Sequence, residues 1–400
     1  MTNNNALKHL KIPGEAKIIL DAFSQINFGK ITITTPENLT IEYSGNETGP
    51  NVKLQIFDWD ALVEVLHKSD IGLAESYMDK KFETSSISDL LEFSILNEKS
   101  LTKAFKGNLA KIIFYRLKHE ARENSLFGSK KNIKEHYDLG NDFYQLWLDS
   151  SMTYSSALFK NKSESLTDAQ LNKYQSMLDL INPKSTDHIL EIGCGWGGFL
   201  EYAGKKGFRV TGITISDEQF KYAQKRIIKN NLQHLCEVKL CDYRLLDGQF
   251  DCAVSIEMIE AVGEKYWDSY FSTFKKVIRP GGKFSIQAIV MNDHNFDSYR
   301  KGTDFIQQYV FPGGMLLSPN TLKNLCKKNN FEYLNTISFG LDYARTLNIW
   351  NDHFNAKINE VKKLGFDERF IRLWNFYLGY CEGAFLSKRI DVLQISAEVK

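Results

Sequence analysis

No stretch of the 400-residue chain stays apolar for the roughly 20 positions that a membrane-spanning helix needs. The opening residues, MTNNNALKHLKIPGEAK, lack a continuous apolar core, so no secretory leader is read there and a cytoplasmic location is expected. Cysteine is scarce. Cys194, Cys236, Cys241, Cys252, Cys326 and Cys381 form no CxxC pair, which argues against a disulfide framework and against a zinc site. The eight histidines make no HxH or HxxxH pair, so no metal centre is expected. An excess of one charge is also missing, with 50 Lys and Arg against 49 Asp and Glu. A near-neutral chain lacks the electrostatic footprint of a nucleic-acid binder. There are no internal repeats and no low-complexity tracts.

What is present changes character along the chain. The first ~30 residues read as weakly helical. Three alternating runs follow: Ile31 and Ile33; Leu39, Ile41 and Tyr43; Val52, Leu54 and Ile56. Period-two alternation bounded by Pro, Gly and Asn predicts half-buried antiparallel strands. Asp58 then opens a helix carrying Ala61, Leu62, Val65 and Leu66, and this small α+β segment ends near Asn97–Lys99. Lys103 to Lys134 holds nine basic residues opposed by Glu120 and Glu123, with Phe105, Leu109, Ile112, Ile113 and Leu117 at helical spacing. Such a helix can lie on an anionic membrane surface, or it can be a solvated linker between domains.

From Thr186 the pattern is strand–helix alternation. Strands are predicted at His188–Ile192, Arg209–Ile215, Glu237–Leu240, Phe250–Ile256 and Lys283–Val290. Helices are predicted at Gly197–Lys206, Asp217–Asn230 and Trp267–Ile278, with an aromatic helical tail from Phe354 to Cys381. The fold class is α/β, a doubly wound Rossmann-like sheet with a small N-terminal α+β domain.

The sharpest motif lies between the first strand and the first helix of that sheet. Glu191-Ile-Gly193-Cys194-Gly195-Trp-Gly197 lets the backbone turn tightly and approach a ligand without Cβ atoms in the way. The crevice at the strand ends of such a sheet is where nucleotide-like ligands bind. The GxGxGG spacing with an acidic lead-in differs from the GxGxxG of a dinucleotide loop and resembles motif I of the class I S-adenosylmethionine methyltransferases. Thr214, followed by Ile215 and Ser216, stands where many relatives carry a ribose-binding acid, and a hydroxyl bonds ribose more weakly than a carboxylate does. Asp242-Tyr243 follows the third strand and suits the edge and face of adenine.

Further separated motifs occur in order: His136-Tyr-Asp-Leu-Gly-Asn141, Met152-Thr-Tyr-Ser-Ser156, Ser255-Ile-Glu-Met-Ile-Glu-Ala-Val-Gly263, Tyr309-Val-Phe-Pro-Gly-Gly314 and Tyr380-Cys-Glu382. Together with the glycine loop they resemble the cyclopropane fatty acid synthases and the mycolic acid cyclopropane synthases over roughly 130–400. The resemblance implies an accessory, lipid-carrier-like domain over 1–115 and an S-adenosylmethionine-dependent catalytic domain over 116–400. It implies that Tyr154, Ser155, Glu191, Gly193, Cys194, Gly195 and Gly197 hold one end of the cofactor. Thr214, Ile215, Ser216, Gln219, Asp242, Tyr243 and Ile256 would meet its ribose and adenine. It also implies a polar cluster that binds bicarbonate as a base, with Glu260, Tyr343 and Cys381 retained. The family's Cys and His at two further cluster positions are Ser156 and Gln287 here. Neither is a good proton acceptor, so proton handling by histidine is excluded.

The implied reaction is alkylation of an unsaturated acyl double bond in a phospholipid at a peripheral membrane surface, forming a cyclopropane ring. Loss of a different proton would give a methylene branch instead. Glu260 is the charge expected to act on or through the bound base, although Glu257 and Glu264 stand beside it and the residues alone do not choose among the three. Phe305, Tyr309, Phe311, Phe354, Trp374, Phe376 and Tyr377 line an acyl channel or simply form core. Relatives form homodimers, and the same is expected here. Two other readings compete: a small-molecule N-methyltransferase on the same frame, and a lipid-binding protein without catalysis.

Overall fold

The computed structural model describes residues 11–105 and 139–400, with side chains of 103–105 left aside. Most of the basic stretch from Lys103 to Lys134, and His136, lie outside the described residues. The chain divides into two units, one drawn from Met1–Ala121, Lys301–Val310 and Trp350–Arg389, the other from Arg122–Arg300, Phe311–Ile349 and Ile390–Lys400.

The first unit contains a four-stranded sheet in the order β2-β1-β3-β4, with β1 Phe28–Thr34, β2 Thr40–Ser44, β3 Glu47–Ile56 and β4 Phe82–Thr84. Its alternating apolar residues point one way: Ile31 pairs with Tyr43 and with Val52, Ile33 with Ile41 and with Leu54, and all are buried against the helix Gly14–Phe23 and its neighbours. The expectation of antiparallel strands holds for β1–β2, and β3 pairs antiparallel with β4, a strand that the sequence reading did not anticipate. It fails for β1 and β3, which run parallel. Alternation reports only that one face is buried, and it is the same for either direction. The helix Glu368–Leu386 packs on the helix Ile87–Leu96 of this unit through Gly379 and Gly383. A Cβ on Gly379 would meet Ile87 Cβ at 2.7 Å, and one on Gly383 would meet Ser88 O at 2.6 Å. Arg372 secures the contact by donating to Glu83 and to the carbonyl of Tyr77.

The second unit is built on a seven-stranded sheet in the order β10-β11-β9-β8-β5-β6-β7. Its strands are β5 His188–Ile192, β6 Arg209–Thr214, β7 Cys236–Leu240, β8 Cys252–Ile256, β9 Lys283–Met291, β10 Phe331–Ser338 and β11 Ile390–Val399. Strands β9, β8, β5, β6 and β7 are parallel, and β11 runs antiparallel to both β9 and β10. The predicted strands and helices of this unit are present within a residue or two at each end. Sequence reading did not anticipate β10, β11 or the helix Leu166–Ile181. Chain order reverses between β5 and β8, the switch point where sheets of this kind open a crevice beyond the strand ends. Among the described residues no helix is long and apolar enough to cross a membrane.

Candidate functional site

The glycine loop leaves β5 at that switch point. Gly193, Gly195 and Gly197 take positive φ angles of 81°, 50° and 81°, which side chains rarely adopt. The amides of Gly193 and Cys194 both donate to the Ile213 carbonyl at 3.0 and 2.8 Å, folding the loop back over β6. A Cβ on Gly193 would press on the Met258 side chain at 2.8 Å, whereas one on Gly195 would meet nothing within 4 Å. The loop therefore packs against the segment after β8 and stays open at Gly195. Arg226 braces it from below, donating to the carbonyls of Trp196 and Ser151 and pairing with Glu201 at 2.9 Å.

Glu191 precedes the loop. Burial raises its carboxyl to about 8, against the pull of Lys173, and its Oε2 has no donor among the described residues. Tyr154 rests on Tyr144 and Trp147, with ring centroids 5.3 and 5.5 Å away. Ser155 Oγ accepts from Lys173 Nζ at 2.6 Å, and its carbonyl accepts from Gln170. Lys173 is fully buried, which lowers its ammonium to about 8 despite Glu257, Asp149 and Glu191. The Cys194 thiol is also buried, and its acidity is suppressed.

At the end of β6, Thr214 Oγ1 donates to Gln219 Oε1 at 2.8 Å, and Ser216 caps the next helix by accepting from the Gln219 amide. Ile215 continues the turn between them. After β7, Asp242 is clamped by Arg244 at 2.6 Å, and Tyr243 packs edge-on against Tyr270. Ile256, half-buried, ends β8.

Three of the groups expected around Glu260, from Ser156, Gln287 and Tyr343, converge instead on Glu257. Its Oε1 accepts from the Ser156 amide at 2.8 Å and from Gln287 Nε2 at 2.7 Å, and its Oε2 accepts from the Tyr343 hydroxyl at 2.7 Å. Gln287 lies on β9 opposite Gln394 of β11, whose Nε2 donates to Gln287 Oε1 at 2.9 Å. Ser176 in turn donates to Gln394 Oε1. This chain of bonds leaves the Gln287 amide nitrogen facing Glu257. Burial raises the Glu257 carboxyl, while Lys173 and the three donors oppose the rise. Glu257 also has a φ of 47°, a costly backbone for a residue with a side chain.

Glu260 sits one turn further on. Its Oε1 accepts from the Ile289 amide at 2.6 Å, and its Oε2 is enclosed with no donor among the described residues. Burial and the neighbouring Glu257 raise its carboxyl to about 8. Cys381 belongs to the first unit, where burial and Asp304 push its thiol well up, so it is no ready thiolate. Phe305, Tyr309, Phe354, Trp374, Phe376 and Tyr377 belong to the same unit, and Phe305 packs edge-on to Phe376 at 4.9 Å. Phe311 falls in the second unit.

Sequence reasoning missed Glu257 as the hub, with Lys173, Gln170 and Gln394. A signal for the helix bearing Lys173 was present: Ser165 three residues before Asp168 is an N-cap pattern, and Ser165 does accept the Asp168 amide.

The loop suits the S-adenosylmethionine that the resemblance implies. It offers an open approach at Gly195 and, in Glu191 Oε2, an acceptor for a ligand's ammonium. The cluster does not suit bicarbonate, because the donors that would hold such an anion are already taken by Glu257.

The family described as mycolic acid cyclopropane synthetase matches residues 125–395. Tuberculostearic acid methyltransferase UfaA1 of Mycobacterium tuberculosis is 34% identical over 343 residues, covering 81% of this chain and 78% of that protein. Cyclopropane-fatty-acyl-phospholipid synthase of Escherichia coli (strain K12) is 35% identical over 351 residues, covering 84% and 85%. Among solved structures, mycolic acid cyclopropane synthase CmaA1 complexed with SAH and CTAB matches with a TM-score of 0.63 and 28% identity, covering 67% of this chain and 98% of that one.

Proposed function

Because the chain belongs to the mycolic acid cyclopropane synthetase family, we propose that it is an S-adenosylmethionine-dependent methyltransferase that alkylates the double bond of an unsaturated phospholipid acyl chain, closing a cyclopropane ring. The observation that carries this reading is the carboxylate of Glu257, held by three donors next to an open glycine loop. An amine acceptor must also shed a proton, but from nitrogen, where it exchanges readily with water. An alkene, once alkylated, must lose a proton.

S-adenosylmethionine, when bound, supplies an electrophilic methyl group on a sulfonium. Gly193, Gly195 and Gly197 would let the backbone approach it closely, and Glu191 Oε2 would accept from its ammonium. Tyr154 and Ser155 would hold the methionine end, and Thr214, Gln219 and Tyr243 would hold the nucleoside. The alkene is a weak nucleophile, so positioning by this rigid frame supplies several kcal/mol of the acceleration. The cation that forms on the acyl chain is stabilised by Glu257.

Mass spectrometry of acyl chains tests the reading, after incubation with S-adenosylmethionine and unsaturated phospholipid vesicles. A gain of one CH2 unit supports it, and no gain with cofactor binding intact shifts the acceptor to an amine. A relative named as a tuberculostearic acid methyltransferase is about as similar as the one named as a synthase, so a methyl- or methylene-branched chain is the second product to seek. Gas chromatography of the methyl esters separates ring from branch. Binding to the membrane surface through the basic stretch, and a homodimer, complete the proposal.

A further inference from the structure

We propose that Glu257 is the resident base of this site and that its carboxylate occupies the place of an exogenous bicarbonate ion. The assignment rests on the reading above. Bicarbonate and a carboxylate are both planar anions of single charge with acceptor oxygens at similar spacing. A donor set that suits one suits the other, and it cannot hold both. Here the donors come from three separate segments: the Ser156 amide, Gln287 on β9 and the Tyr343 hydroxyl. The Ser176–Gln394–Gln287 relay fixes the direction of the second of these. Lys173 supplies the nearby positive charge that one anion requires.

The geometry also leaves the carboxylate able to act. Its two oxygens offer about four acceptor positions, and the three bonds leave one open on Oε2. Glu257 as a residue is half-buried, whereas Gln287 and Ser156 beside it are fully buried. In the step assigned to it, a C–H bond of the alkylated acyl chain breaks. Its electron pair forms the new carbon–carbon bond at the cationic carbon. The proton forms an O–H bond on Glu257, which then releases it to water.

The test compares the wild-type enzyme with Glu257→Gly in buffer stripped of carbon dioxide, using dioleoylphosphatidylglycerol vesicles. Glycine suits the positive φ at this position and leaves a space of anion size. Wild-type turnover is expected to be indifferent to bicarbonate. Glu257→Gly is expected to fall about 100-fold or more and to recover when bicarbonate or formate is added. Loss of wild-type turnover on bicarbonate removal overturns the proposal, and so does full activity of Glu257→Gly without an added anion. A folded Glu257→Gly that no anion restores also overturns it, since a purely structural strut behaves that way. Binding of 13C-bicarbonate, followed by NMR line broadening, needs no substrate. Saturable binding to Glu257→Gly but not to wild type is expected, and saturable binding to wild type overturns the proposal. If the binding result is as expected but no vesicle lipid gains mass, the assignment of the anion site stands and the acyl-chain reading fails.

Discussion

Each of the two units holds a pair of partly enclosed carboxylates, Glu257 with Glu260 in one and Asp70 with Asp304 in the other. Loss of water raises all four, and in each pair one member further raises its neighbour, Glu257 acting on Glu260 and Asp70 on Asp304. Each pair also has a tyrosine: Tyr343 donates to Glu257 at 2.7 Å and Tyr380 to Asp70 at 2.8 Å. The difference lies in what surrounds them. Asp70 accepts the Phe305 amide and Asp304 accepts the Gln307 amide, so the aspartates tie down a turn of chain, with no cation among the influences that set their acidity. The glutamates have Lys173 and an adjoining open loop. Shifted acidity alone thus does not mark a reacting group. A countercharge, an unused lone pair and a path for a ligand do.

Paired substitutions test this contrast. Glu257→Gln is expected to lower turnover about 100-fold or more, while Asp304→Asn leaves kcat near wild type and lowers the melting temperature instead. Comparable losses of kcat in both would break the distinction. The matched hydroxyls come next. Tyr343→Phe removes a bond that lowers the Glu257 carboxyl, so the rising limb of the pH–rate profile should move to higher pH. Tyr380→Phe should cost about 1.5–3 kcal/mol in urea unfolding, as for a bond to a charged group, without moving that profile.

The third test is stability against pH. Glu260 titrates near 8 in the folded chain, above its ordinary 4.5, so the fold favours its protonated form. That contribution is complete below about 4.5 and is lost as pH rises through about 8. Glu260→Gln, always neutral, should lose less melting temperature than wild type between those limits, and parallel curves would count against the shift. The smallest effect concerns the basic stretch. Lys131→Gln should weaken sedimentation with anionic vesicles about fivefold at low salt, equivalent to about 1 kcal/mol for one charge near the surface. Equal binding to neutral vesicles would remove the electrostatic role.

The glycine loop and the parallel strands were legible because each depends on local spacing. Turn, strand and helix signals lie within a few residues of one another from Glu191 to Lys205. The hub of the site was not legible in this way. Glu257, Glu260 and Glu264 stand within one short loop, and only the fold shows that Ser156, Gln287 and Tyr343 turn toward the first of them. Gln394 was invisible for a related reason. Its meaning comes from pairing with Gln287 across two antiparallel strands far apart in sequence. The direction of β3 against β1 was lost because alternation carries no sign.

The position of β11 has a consequence for synthesis. It is the last strand in chain order, yet it lies between β9 and β10 rather than at an edge. Until residues 390–399 emerge, β9 presents an unpaired edge and β10 has no neighbour in the sheet, leaving a template open to another nascent chain. The same residues bring Gln394 to Gln287. The event that covers the open edge of β9 is therefore also the one that sets the orientation of the amide facing Glu257.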